Sequence, residues 1–526
     1  MGRKLLSRSF EVLGVDQKIW LALETGGYGD AATGGLVPDA SGAVEHITAD
    51  VKFDIPREDS AARTGRSLVT RLSGKIAVEF SFESYIIPGT PDGLGQPTLP
   101  PIHAFLVSAF GEVNQTNPAE IKYELSRLND KSFRIIEEAT HYARLTTGCV
   151  IDTVTFSLPG DGKATFKAEG FGQDSLVAGE ANLSQAVTGA EQLASLIEQD
   201  LTYTAIAASG KAGNLINIQY LPGGVAGAEV VAVVGNTITV TMDDGVSDAD
   251  DIKTAVDAFP AAAALVTVAV SGVGLNPQNQ MVAAAYLTGG LGTNDIKVGL
   301  GEGNRFEVGA LVDIVDGTDG NTIIEQARTV SGVSDADSPN ADIVTVSGAA
   351  LSASAIGDFL AGHAPENYSP LESSGALLGL KGTFTVAGFT VGNCELISAE
   401  IAIANNYTKK DFVYGTNKIC GYIPDKRRSV TVKLDVLLNK DNFSFYMRNK
   451  KFVAEDITIT LEPNDIPAPS FATSLGRTFE FKMPKVEFSI PPIENPSDTY
   501  VTLSLEGVAL AVDSNTLDSE VTLVIK

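Results

Sequence analysis

Two runs of strict apolar–polar alternation, separated by about 350 residues, constrain this chain more than any other feature. In Lys75–Tyr85 (KIAVEFSFESY), Ile76, Val78, Phe80 and Phe82 fall on one face, and Lys75, Ala77, Glu79, Ser81 and Glu83 on the other. In Ser429–Asn439 (SVTVKLDVLLN), Val430, Val432, Leu434 and Val436 face one way, and Thr431, Lys433 and Asp435 the other. A period of two describes a strand buried on one side and wet on the other. Each run follows a polar, basic approach, ARTGRSLVTRLSG before the first and YGTNKICGYIPDKRR before the second. The expectation is two copies of one β-fold separated by inserted material.

The rest of the chain sorts around these runs. Residues 1–43 are Gly-rich and loosely patterned (ETGGYGDAATGG), which reads as an arm or extended loop. Strand signals begin at His46–Pro56 and continue through Ser67–Ile87. The turn chemistry of PGTPDGLGQPTLPP then leads to Pro101–Phe110 (PIHAFLVSAF). Apolar residues at helical spacing with Gly111 just beyond predict a short buried helix, in which His103 reads as a packed core residue. The first block closes on GCVIDTVTFSLPGDGKATFKAEGFG, a predicted hairpin about a Pro-Gly-Asp-Gly turn, with Val150, Asp152, Val154 and Phe156 on one face. From Leu377 the texture returns. A run of strands precedes SVTVKLDVLLN, a helix is predicted at Asp441–Lys451, and PKVEFSIPPIENPSDTYVTLSLEGVAL echoes the first hairpin. The expected domains are 1–43 (arm), 44–174 (first copy), 175–292 (an inserted α+β module), 293–375 (an inserted small β module) and 376–526 (second copy).

Charge separates the middle from the ends. The whole chain carries −27, and Ser175–Gly375 holds 24 acidic against 5 basic residues. So acidic a surface does not grip nucleic acid, because phosphate binding needs clustered Lys and Arg. In that middle, Leu183–Gln199 reads as a short helix or linker, and Ser247 as the N-cap of an amphipathic helix running to Phe259. Asp313, Asp316 and Asp319 read as solvated turn acids rather than cation ligands. Cys149, Cys394 and Cys420 have neither disulfide-framework nor zinc spacing and read as buried small residues. No nucleophile elbow, zinc-helix motif or dinucleotide fingerprint occurs, so neither an enzyme nor a cofactor is expected. The N-terminus has no apolar run long enough for a signal peptide, which leads to an expectation of synthesis and assembly in a cytoplasm.

These residues resemble the tail tube proteins of long-tailed bacteriophages. The likeness rests on the Gly-rich arm, the paired strands, PIHAFLVSAFG, and the GCVIDTVTFSLPGDGKATFKAEGFG hairpin. It rests equally on GLKGTFTVAGFTVGNCELISAEIAIANN, YGTNKICGYIPDKRRSVTVKL and PKVEFSIPPIENPSDTYVTLSLEGVAL. It covers about residues 1–173 and 376–526, with the intervening modules a weaker match. It implies a mainly β fold: a duplicated sandwich, one short helix per copy, whose hairpins close a β-barrel with neighbouring subunits. It also implies stacked rings around a channel through which DNA passes without specific binding, in a virion tail assembled in the host cytoplasm. The other partners implied are the tape measure, tail terminator and distal tail proteins. Two copies per chain lead to a trimeric, pseudo-sixfold ring. Lys75, Glu79, Glu83, Lys433 and Asp435 are then the candidates for the lumen. A tail sheath or baseplate hub protein, and a secreted β-modular adhesin, are the alternatives.

Overall fold

The chain is mainly β, and the computed structural model describes all of it except residues 1–16, 25–43, 45, 55–56, 60–70, 74–76, 90, 92–93, 127–130, 140–141, 189, 207–209, 282, 319–321, 338–340, 364–375, 387–388, 391–395, 411–419, 438–442, 452, 464–476, 490–500 and 513–518. Contacts divide it into two units. One comprises Gln17–Glu137, Leu145–Ser175 and Ala364–Lys526. The other comprises Leu176–His363 with Met1–Asp16 and Glu138–Arg144.

The first unit is built on long antiparallel strands. In its N-terminal part these are β1 (Lys18–Leu23), β2 (Thr48–Asp54), β3 (Arg57–Asp59), β4 (Arg71–Ser73), β5 (Ala77–Tyr85), β6 (Gly111–Asn114), β7 (Ile121–Leu125), β8 (Phe133–Ala139), β9 (Tyr142–Pro159) and β10 (Thr165–Gly172), with helix α1 at His103–Phe110. The C-terminal part supplies β11 (Leu377–Val386), β12 (Leu396–Ala404), β13 (Tyr407–Lys409), β14 (Tyr422–Pro424), β15 (Ser429–Leu437), β16 (Glu455–Pro463), β17 (Phe479–Phe488), β18 (Thr502–Ala509) and β19 (Thr522–Ile525), with helix α2 at Phe443–Asn449.

Eight strands form one continuous antiparallel run, in the order β2–β5–β10–β9–β12–β15–β18–β17. Its middle joint is β9 to β12, where Thr153–Pro159 pair with Ala404–Ser398. The inward faces make a single core from both parts of the chain, including Phe80, Phe82, Phe156, Ile401, Val432 and Phe481. Phe156 packs on Phe481 with ring centroids 5.0 Å apart. Helix α1 is buried along its whole length, and Gly111 ends it in the left-handed conformation, φ 99°. Phe105 of that helix packs edge-on against Phe133 at 5.1 Å.

Glycine lets two strands approach closely. A Cβ on Gly170 of β10 would lie 2.0 Å from the Val150 carbonyl oxygen, and one on Gly507 of β18 would lie 2.7 Å from the Phe488 ring. The register between β9 and β10 shifts at Glu169/Gly170. That bulge corrects the parity read for β9: Ile151, Val154 and Phe156 are buried, whereas Val150 and Asp152 are only half-buried.

Among its described residues, the second unit holds two large cores. Around Leu201, Tyr203, Ile218, Tyr220, Val240 and Ile252 pack a three-stranded sheet, a four-stranded sheet and the helix Ala249–Ala258. Asp248 caps this helix by accepting from the Asp251 amide. Ser247, the expected cap, instead donates its hydroxyl to Glu229. The other core, around Val298, Val312, Ile314, Val344 and Leu360, carries a six-stranded sheet. Its edge strand is Glu180–Asn182, paired with Phe359–Ala361. The segment just after Ser175 therefore belongs to the sheet of the second module, and the first module is inserted within it. Leu183–Gln199 contains a strand at Ser195–Glu198 and, among its described residues, no helix. In the arm, Lys18–Leu23 is strand β1, buried at Ile19–Ala22.

Two outcomes are expected. Gly170→Val should lower stability by about 1–3 kcal/mol through overpacking, read as a lower urea midpoint with an unchanged m-value. His103, whose Nδ1 lies 2.8 Å from the Tyr123 hydroxyl, is held down to about 4 by burial. The unfolded chain binds this proton near pH 6.5 and the folded chain only near pH 4. Stability is therefore fully present above pH 6.5 and falls as pH drops towards 4, by about 3 kcal/mol. His103→Asn should flatten that part of the stability–pH curve relative to the parent.

Candidate functional site

The outward face of the eight-strand run is polar, and the registers align its side chains into rows. One row crosses all eight strands: Thr48, Glu83, Lys167, Thr155, Ala402, Thr431, Val508 and Glu487. A parallel row runs Tyr85, Thr165, Ser157, Glu400, Lys433 and Glu506. Another runs Asp50, Ser81, Glu169, Thr153, Ala404 and Ser429. Alternation puts these residues together: their sequence neighbours Phe82, Val154, Ile403, Val432 and Leu505 are buried beneath them.

Carboxylates outnumber lysines on this face. Asp50, Glu79, Glu83, Glu169, Glu400, Asp435, Glu487 and Glu506 are matched by Lys52, Lys167 and Lys433. Every one of these lysines stands directly opposite a glutamate: Lys52 opposite Glu79, Lys167 opposite Glu83, and Lys433 between Glu400 and Glu506. Lys167 also meets Glu169 at 2.5 Å, and that contact raises its pKa above the ordinary lysine value. Asp435 is half-buried and accepts from the Ser398 hydroxyl at 2.8 Å.

Glu79, Glu83, Lys433 and Asp435 share the polar face, and Lys75 lies outside the described residues. Glu79 is not a bare charge, because Lys409 of β13 donates to it at 2.8 Å and lies 4.6 Å above the Phe171 ring. Sequence reading missed Asp50, Lys167, Glu169, Glu400, Glu487 and Glu506. The Glu-Gly dipeptides at 169–170 and 506–507, each in the last strand of a hairpin, were the available signal.

Two cavities open on this face. One of about 260 Å³ is lined by Asp50, Lys52, Glu79, Ser81, Glu169 and Phe171, and the other, about 460 Å³, by Glu400, Thr431, Lys433, Glu487, Glu506 and Val508. The described residues hold no cluster of His, Cys, Asp or Glu fit for a metal ion. Asp313 is not the solvated turn acid expected of it: it is buried in the strand Leu311–Val315, bonding the His363 ring at 2.7 Å and accepting from the Ala327 amide, while Asp316 caps its own turn at Thr318. Asp319 is outside the described residues. Cys149 is buried, which pushes its thiol well up, and Cys394 is not described. Cys420 is exposed, contrary to the buried role expected of it. No described helix is long and apolar enough to cross a membrane.

No protein-family model matches this chain, and no curated protein matches it in sequence.

The charges on the face should be nearly neutral for stability. Glu79→Gln and Lys409→Met, singly and together, should each change unfolding free energy by less than about 1 kcal/mol, because exposed ion pairs contribute little. A double-mutant cycle by urea denaturation checks this.

Proposed function

We propose that this chain is a structural virion protein, the major tail tube subunit of a long-tailed phage, and not an enzyme. In this reading, three subunits make a ring and stacked rings enclose the channel for DNA. The observation that carries it is the joint between β9 and β12, together with what stands on either side of it.

Four strands precede the joint and four follow it, in matching order and register. Strand β5 sits between β2 and β10, as β15 sits between β12 and β18. The pairs Phe80–Gly170 and Val432–Gly507 occupy the same place in each group, as do Ser81–Glu169 and Lys433–Glu506. The helices α1 and α2 each follow their signature strand. Such agreement favours two copies of one fold joined edge to edge inside a single chain.

A joint of this kind makes an arc rather than a closed sheet, because β2 and β17 remain at its ends. Repeating it between chains closes the arc, which removes exposed strand edges. Two copies per chain give a pseudo-sixfold ring from three chains. The polar rows then line the inside, where excess carboxylate repels phosphate and lets DNA move. The other tail proteins at its ends, and the outward role of the acidic modules, follow from the same reading.

Electron microscopy of the purified protein, with the mass of its smallest oligomer, tests the proposal. Hollow tubes built from rings of three chains with six inner lobes are expected. Rings of six chains would overturn the two-copy ring but keep the tube. A monomer that never assembles would overturn the tube and favour a hub protein or an adhesin.

A further inference from the structure

Within the chain, a small hairpin fastens one strand group onto the other. The β13–β14 pair leaves β12 and lies over β5 and β10: Lys409 reaches Glu79, and the Tyr422 ring stacks on Phe171 at 5.5 Å. Tyr422 also donates its hydroxyl to the Gly172 carbonyl at 3.0 Å.

The first strand group carries a hairpin with the same construction. Strand β3 begins three residues after the end of β2, and β13 three residues after the end of β12. Each hairpin pairs three residues with three. Arg57 to Ser73 and Asp59 to Arg71 in one match Tyr407 to Pro424 and Lys409 to Tyr422 in the other. Asp59 and Arg71 therefore hold the register positions of Lys409 and Tyr422.

The seat that would receive β3–β4 is equally well defined. Glu79 stands opposite Phe171, and in the other group Thr431 stands opposite Val508. There Val508 is 45 % exposed. It lies in the larger cavity, beside Glu487, Glu506 and Lys433.

We propose that the β3–β4 hairpin of a second copy of this chain seats in that cavity, over Thr431 and Val508. The internal hairpin reaches back across the β9–β12 joint onto the group that precedes it. For β3–β4 the preceding group belongs to another chain. The hairpin's sequence carries both signs, in Arg57, Glu58, Asp59 and Arg71, and so does the seat, in Glu487, Glu506 and Lys433. The proposal rests on the ring reading above and adds to it a strap between neighbours.

The test is cross-linking in assembled full-length protein, with Cys394 and Cys420 replaced by Ser. Two cysteine pairs are made, Arg71→Cys with Val508→Cys and Asp59→Cys with Thr431→Cys, and each is treated with a short bismaleimide. Single-cysteine controls are treated alongside, and assembly is followed by electron microscopy. A ladder of linked chains ending at three, absent from the controls, is the expected result for both pairs. Rings or tubes that form without links between chains, or with links within one chain only, would overturn the strap and leave the ring standing. Failure of the Cys-to-Ser parent to form rings would overturn the ring reading, and the strap with it.

Discussion

The antiparallel joint between β9 and β12 is the contact on which the rest of the first unit depends. It pairs residues near 155 with residues near 402, and so binds segments separated in sequence by Leu176–His363. Closing so long a loop costs little more than closing a shorter one, since the entropic penalty grows only with the logarithm of length. What holds the joint is the burial beneath it. Ile401 stands opposite Phe156, both are fully buried, and Phe481 packs on the Phe156 ring. Truncating Ile401 would therefore loosen both strand groups at once. It is also this joint that carries one polar row uninterrupted from β2 to β17 and two shorter rows from one strand group to the other.

How far the sequence could be read follows from how local each feature is. Strands β5 and β15 bury one face, so their alternation is visible residue by residue. Helix α1 was legible for similar reasons, with an apolar run, a Pro before it and Gly111 after it. Strand β1 was hidden in the arm because KIWLAL is buried on both faces and shows no alternation. At the start of the acidic helix the sequence pointed to Ser247, but the adjacent Asp248 is equally a capping residue type, and it is the one that accepts from the Asp251 amide. The order of the two middle modules was illegible because Glu180–Asn182 pairs with residues about 180 positions later, which nothing nearby in the chain announces.

The polar face was legible only in part. Parity placed Glu79, Glu83, Lys433 and Asp435 on an outward face of their own strands. Which residues stand beside them is set by register, which depends on tertiary pairing and on the bulge at Glu169/Gly170. Asp50, Lys167, Glu400 and Glu506 therefore became visible as neighbours only once the strands were laid side by side. The Lys409–Glu79 contact spans 330 residues and had no local signature at all.

Register also explains why the face is mixed in sign rather than uniformly acidic. Like charges directly opposite one another on adjacent strands destabilise a sheet, and opposite charges support it. On this face, no two of the eight carboxylates stand directly opposite each other in the described ladders. Glu169 stands between Ser81 and Thr153, and Asp435 between Ser398 and Ser504. Glu487 stands opposite Val508, and Glu400 and Glu506 share Lys433. Lysines and uncharged residues together are the spacers between carboxylates on strands less than 5 Å apart. Removing Lys433 would leave Glu400 and Glu506 on either side of an uncharged residue, a more negative face with less to hold its strands in place. The acidic face of this β-sheet thus keeps its carboxylates apart with lysines and with uncharged residues, at positions that the ladder sets.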